Sequence, residues 1–188
     1  VVLREGTSER LRDRVGSGRL DLAVVTATSE SSDAVALDAL LDDPLLVAMP
    51  RAHRLAGSTR IAPDELREEL WITGSSDPSS TLLGAWTTGS WTPHVAFEVR
   101  DWTAKIGLVA GGLGITVVPG LSARSLPTNV VVSAIDHPAA MRTVVVARRA
   151  GVDEPHVAAV IEALRNAASQ VIGAPRRAVG GRAARVPA

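Results

Sequence analysis

The side chains of this 188-residue chain best suited to binding chemistry fall into three short groups: Thr26, Thr73-Gly74-Ser75-Ser76, and Arg100-Asp101-Trp102-Thr103. What they offer is reversible hydrogen bonding. Serine and threonine hydroxyls donate and accept without carrying charge, which suits a small polar ligand that must be released as well as held. Asp101 reads equally as the cap of the helix that follows it. Close to a ligand it would oppose a carboxylate, a repulsion that Arg100 offsets. Trp102 reads as core before it reads as a stacking wall.

Covalent and metal chemistry have no such footing. Gly74-Ser75-Ser76-Asp77-Pro78 and Gly120-Leu121-Ser122-Ala123-Arg124 both lack the closing glycine of a nucleophile elbow. Gly112-Leu113-Gly114 follows a helix and opens a strand, the reverse of a dinucleotide-binding turn. His53, His94, His137 and His156 stand singly and cysteine is absent, so no metal site, disulfide or cofactor is expected. Asp42-Asp43 and Glu68-Glu69 read as solvated carboxylates. Zero net charge gives no footprint for nucleic acid or an anionic membrane. No apolar run approaches the ~20 residues needed to span a bilayer. Val1-Val2-Leu3 runs at once into Arg4 and Glu5, which is not a leader sequence, and the lack of cysteine is compatible with the cytoplasmic location expected here.

The elements that must hold the three groups are strand, helix, strand units. Val1 to Leu3 reads as a strand. A helix follows, capped by Thr7 or Ser8, with Leu11 and Val15 on one face, and Leu20 to Val25 is a buried strand ending at Thr26. Val35 to Leu41 is extended or mixed, Asp42-Asp43-Pro44 marks a turn, and Leu45 to Met49 is a strand. Arg51 to Arg60 reads as a hinge or connection. Pro63 opens a helix over Asp64 to Leu70, Trp71-Ile72-Thr73 is a strand, Thr81 to Ala85 a short helix and Val95 to Val99 a strand. Asp101 then caps a helix whose apolar face is Ile106, Val109 and Ala110, widened by Leu108 and Leu113. Gly111, Gly112 and Gly114 supply the positive φ values that end it, and Ile115 to Val118 is a buried strand stopped by Pro119-Gly120. Strands at Val130 to Val132 and Arg142 to Ala147 precede a last helix from Asp153-Glu154-Pro155, with Val157, Val160, Ile161, Leu164 and Ala168 on one face. In doubly wound sheets ligands sit beyond the carboxyl ends of strands. That rule selects the three groups named first.

Four blocks, in order, resemble one family. They are Val2-Leu3-Arg4-Glu5-Gly6-Thr7, Gly18-Arg19-Leu20-Asp21-Leu22-Ala23-Val24-Val25, Asp43 to Pro50 with His53-Arg54-Leu55-Ala56, and Leu108 to Ile115. Together they resemble the effector-binding domain of LysR-type transcriptional regulators, over Val1 to about Val171. The resemblance implies an α/β fold of two Rossmann-like subdomains, periplasmic-binding-protein type II-like, joined by two crossover segments with a small-molecule effector between them. Positions like these line the cleft in that family, which agrees with the strand-end rule in giving Thr26, Thr73, Gly74, Ser75, Ser76, Arg100, Asp101, Trp102 and Thr103 as the expected effector contacts. It also implies a homodimer or homotetramer in the full-length protein, with DNA contacted only through a winged helix-turn-helix domain not present in this chain.

On this reading, residues 1–50 and 129–172 form subdomain I and 51–128 form subdomain II. Residues 173–188, rich in Pro, Gly, Ala and Arg without an acid, form a disordered basic tail. The family has a further strand and helix upstream of the position of Val1, that strand lying between Val1 to Leu3 and Leu20 to Val25. Subdomain I is therefore expected to be incomplete. The rival reading is a solute-binding protein of a transport system. An enzyme of the same fold, such as a porphobilinogen deaminase relative, would need a cofactor cysteine that this chain lacks.

Overall fold

The computed structural model describes residues 1–27, 32–77, 81–86 and 91–173. Residues 28–31, 78–80, 87–90 and 174–188 lie outside them, and the expectation of a disordered tail falls there too.

One long strand organises the rest. β2 (Val35–Pro50) runs for sixteen residues, and its hydrogen bonding changes partner midway. Val35 to Pro44 pairs antiparallel with β8 (Met141–Arg149), whose other edge carries β1 (Leu22–Thr26). Leu46 to Pro50 pairs antiparallel with β7 (Val130–Ile135), and Leu45 to Ala48 pairs antiparallel with β6 (Thr116–Pro119). Beyond β7 lies the two-residue β3 (Arg60–Ile61). Beyond β6 a parallel bridge from Ile115 to Trp71 leads to β4 (Leu70–Thr73), which pairs in parallel with β5 (His94–Glu98). Two lobes therefore share β2. The return path, β7 then β8, runs antiparallel along it, Ala134 facing Leu46 and Met141 facing Pro44, with the register breaking over the segment between Ile135 and Met141.

Each sheet is covered on both faces. In the second lobe Leu45, Val47, Met49, Trp71, Trp86 and Ile115 bury one face. The other face, Leu46, Ala48, Ile72 and Val118, packs on Ile106 and Val109 of α2 (Trp102–Ala110). In the first lobe Val15 of α1 (Ser8–Gly16) packs on Ala23, Val25 and Val145, and Val157 and Ile161 of α3 (Pro155–Gly173) pack on Val146. Asp38 holds α3 in place by accepting Arg148 Nε at 2.8 Å while lying 3.5 Å from Arg165 Nη2. No helix among the described residues is long and apolar enough to cross a membrane.

Several expectations need correction. Asp42-Asp43-Pro44 is not a turn, because β8 gives this stretch a cross-strand partner and β2 runs straight through it. The subdomain limits expected at 50 and 129 lie inside the second sheet. Hydrogen bonding instead changes over at Pro44 and between Ile135 and Met141, because β7 takes the edge of Leu46 to Pro50 that β6 leaves open. Val1 to Leu3 forms no strand and is exposed. It pairs with no described strand, and β1 is paired on one side only.

The helix expected over Asp64 to Leu70 is a single 3-10 turn, Pro63–Leu66, closed by Glu65 Oε2 accepting the Ala62 N–H at 2.9 Å. Its residue Leu66 is fully buried. Of the three glycines after α2, Gly111 keeps an ordinary negative φ, while Gly112 and Gly114 take positive values. Leu113 and Val160 are exposed, so neither widens an apolar face.

Candidate functional site

Strand directions decide which ends meet. β1 is antiparallel to β8, which is antiparallel to the first part of β2, so β1 runs alongside β2 and ends at the change-over. β6 is antiparallel to the second part of β2, and β4 and β5 run with β6, so these three also end there. Thr26 and Thr73 thus close strands that point at one junction from opposite lobes. This is where the carboxyl-end rule places a ligand.

On the second-lobe side the serine-rich turn is held by its own backbone and by β5. Thr73 is buried, and its hydroxyl donates to the Ser75 carbonyl. Ser75 Oγ accepts from the Asp77 N–H at 3.2 Å, and the Ser76 N–H donates to Glu98 Oε2 at 3.0 Å. Asp101 caps α2, its Oδ1 accepting the Ala104 N–H at 2.7 Å. Arg100 does not turn toward Asp101; it is exposed, and its nearest acid is Glu98 at 3.8 Å. Trp102 is 39% exposed and so is not core, and Thr103 is exposed.

The cation at this turn is one that sequence reasoning passed over. Lys105, the single lysine of the chain, reaches from α2 so that a Cβ on Gly74 would stand 3.7 Å from its Nζ. No acid pairs with it among the described residues, and desolvation by partial burial lowers its pKa below the usual lysine value. The folded state therefore holds this proton less tightly than the unfolded chain. Stability should rise as pH climbs through the lowered folded-state value toward the ordinary one. Lys105→Met is expected to raise the melting temperature slightly at neutral pH, by a stability gain of about 0.5 kcal/mol or less. It should also flatten the alkaline pH dependence, measured by circular dichroism melts at neutral and alkaline pH.

Between the lobes sits a buried ion pair. Asp43 and Arg142 face each other across β2 and β8. Arg142 Nε and Nη2 lie 2.9 and 2.8 Å from Asp43 Oδ2, and the other carboxylate oxygen accepts the Leu121 N–H at 2.8 Å. Asp43 is only 2% exposed, so its reading as a solvated carboxylate is corrected. Glu69 is corrected likewise: its side chain is mostly buried and binds both His53 Nε2 and Arg54. Since Thr26 faces Val144, Arg142 extends past the carboxyl end of β1, and its Nη1 stands 3.5 Å from Thr26 Oγ1. Asp43 lies past the carboxyl end of β6, whose Pro119 faces Leu45. The pair lies at the change-over and touches both lobes, through Leu121 on one side and Thr26 on the other. Its partners are 99 residues apart, and no local sequence pattern joins them.

Two α/β lobes crossed twice by one chain, with strands from both ending at the crossing, define the periplasmic-binding-protein type II class of fold. The family model described as LysR substrate binding domain matches residues 1–169, and the chain belongs to that family. Among curated proteins it is similar to the HTH-type transcriptional regulator AlsR of Bacillus subtilis, 27% identical over 130 residues that cover 67% of this chain and 42% of AlsR. It is also similar to the HTH-type transcriptional regulator CatR of Pseudomonas putida, 26% identical over 159 residues, 82% of this chain and 54% of CatR. The chain spans about half the length of these relatives. Among solved structures, the BenM effector binding domain with its effector benzoate matches with a TM-score of 0.77 at 20% identity, over 93% of this chain and 81% of that one.

Proposed function

We propose that this chain is the effector-sensing domain of a LysR-type transcriptional regulator. A small polar molecule enters between the lobes and is bound by Thr26 from one side and by the Thr73 to Ser76 turn and the start of α2, with Asp101 and Thr103, from the other. The observation that carries this reading is the convergence of β1 and β4 on the junction that β2 and the β7–β8 return both cross. Ligand touching both lobes binds a closed arrangement better than an open one and so shifts the population toward it.

In the whole protein that shift reaches DNA through a separate binding domain and through contacts within a homodimer or homotetramer. The chain has no catalytic role on this reading, and the protein works in the cytoplasm. The benzoate named with the BenM effector binding domain is a small molecule of the kind proposed here. The names of AlsR and CatR favour the regulator over the transport reading.

The test is a thermal-shift screen of small metabolites, followed by calorimetric titration of those that stabilise the chain. Ser75→Ala and Thr103→Ala should each weaken a ligand so found by about fivefold, the worth of one ordinary hydrogen bond. Melting without ligand should be nearly unchanged. Affinity unaltered by both substitutions would remove the serine turn and the start of α2 from the site.

A further inference from the structure

Arg142 has more hydrogen-bonding capacity than its surroundings use. A guanidinium carries five N–H groups. Here Nε and Nη2 are committed to Asp43, while Nη1 has only Thr26 Oγ1 at 3.5 Å, the outer limit of a hydrogen bond. Among the described residues nothing else engages it. The side chain is 23% exposed, and Asp43 locks it in place from below. A fixed guanidinium with a free edge is built to take an oxygen anion. It stands just past the end of β1 and beside Thr26, on the path along which the chain passes from one lobe to the other.

We propose that Arg142 is the specificity-determining anchor of the site, selecting effectors that carry a carboxylate. This inference rests on the effector-sensing reading. The unused Nη1 edge and the Thr26 hydroxyl hold one carboxylate oxygen each, or share one. Asp43 is a positioning residue: it orients the guanidinium through Oδ2 and ties it to the second lobe through the Leu121 N–H. Because Asp43 already balances the charge of Arg142, this pair by itself is neutral when empty and singly negative when a carboxylate is bound. The preference is therefore for small monocarboxylates over dianions. Lys105 at the Gly74 turn is a second cation of the site, on the second lobe.

The experiment titrates the full chain, by thermal shift and then calorimetry, with benzoate, salicylate, pyruvate and succinate, each beside its uncharged amide. Three proteins are compared: the unaltered chain, Thr26→Val, which keeps a β-branched strand residue, and the double variant Asp43→Asn with Arg142→Met, in which no buried charge is stranded. The expected result is binding of at least one monocarboxylate, no binding of its amide, and loss of about tenfold to a hundredfold in affinity in the double variant. Thr26→Val should lose several-fold.

Equal affinity for acid and amide, or an acid bound as well by the double variant as by the unaltered chain, would overturn the anchor and leave the effector reading standing. If neither acids nor amides bind, both fail for this class of molecule.

Discussion

Arg142→Met is expected to destabilise the folded chain by about 3 to 5 kcal/mol, the usual cost of stranding one member of a buried ion pair. Asp43 would keep the Leu121 N–H but lose the guanidinium that neutralises it, at a position where only 2% of its surface meets water. The measurement is urea unfolding followed by circular dichroism, with the midpoint falling and the slope unchanged. Adding Asp43→Asn should restore most of the loss. The asparagine carries no charge, yet its side-chain oxygen can still accept the Leu121 N–H, leaving a double variant within about 1.5 kcal/mol of the unaltered chain. A double variant no more stable than Arg142→Met would show that the packing of the arginine stem, and not the stranded charge, sets the cost. A loss of this size is a large share of the ~5 to 15 kcal/mol that holds a domain together. The same pair thus ties the two lobes together at the change-over and, on the proposal above, is part of the site.

What could be read from the sequence and what could not divides along the range of the interactions. The block from Asp101 to Pro119 was legible because its signals are local. A capping aspartate, an apolar spacing, glycines and an all-apolar strand lie within twenty or so residues, and each acts on its neighbours. The structure keeps the cap, the Ile106 and Val109 face and the strand. The carboxyl-end rule likewise needed only strand order to set Thr26 and Thr73 at the ends of strands that run toward the change-over of β2.

Asp42-Asp43-Pro44 misled because the same three residues serve equally well as a turn in isolation or as a strand with a partner, and the partner is β8, far along the chain. A proline is tolerated there because only one of its two backbone hydrogen-bonding groups is missing. Lys105 and Arg142 were overlooked for a related reason. Their meaning comes from Gly74 in one case and Asp43 with Thr26 in the other, contacts that no spacing rule reports. Val130 to Ile135 was placed in the wrong lobe because an apolar strand says that it pairs, not with which edge.

The second large effect is expected at Gly114, where the turn after α2 passes closest to β4. A Cβ there would lie 2.6 Å from the Leu70 carbonyl oxygen and 3.1 Å from Ile72 Cγ1, with the backbone at a φ of +158°. Backbone cannot swing aside as a flexible side chain can. The crowded oxygen is also the one that accepts the Ile115 N–H at 2.8 Å, and Ile72 in turn donates to Ile115 and accepts from Thr116 Oγ1. Gly114→Ala therefore has to push β4 away from the start of β6, and with it the turn from Thr73 to Ser76.

The expected cost is about 2 to 4 kcal/mol, combining backbone strain with overpacking. Gly112→Ala is the control, since Gly112 also has a positive φ, +79°, but nothing within 4 Å of the added methyl. It should cost only about 1 kcal/mol, the conformational part alone. Urea midpoints for the two variants separate the terms. If they fall by the same amount, the close approach carries no energy of its own, and the seam between β4 and β6 is looser than its hydrogen bonds indicate. If Gly114→Ala falls much further, the glycine is what allows the two strands to run side by side and deliver the serine turn to the junction. Any ligand bound there should then weaken in Gly114→Ala while holding its affinity in Gly112→Ala.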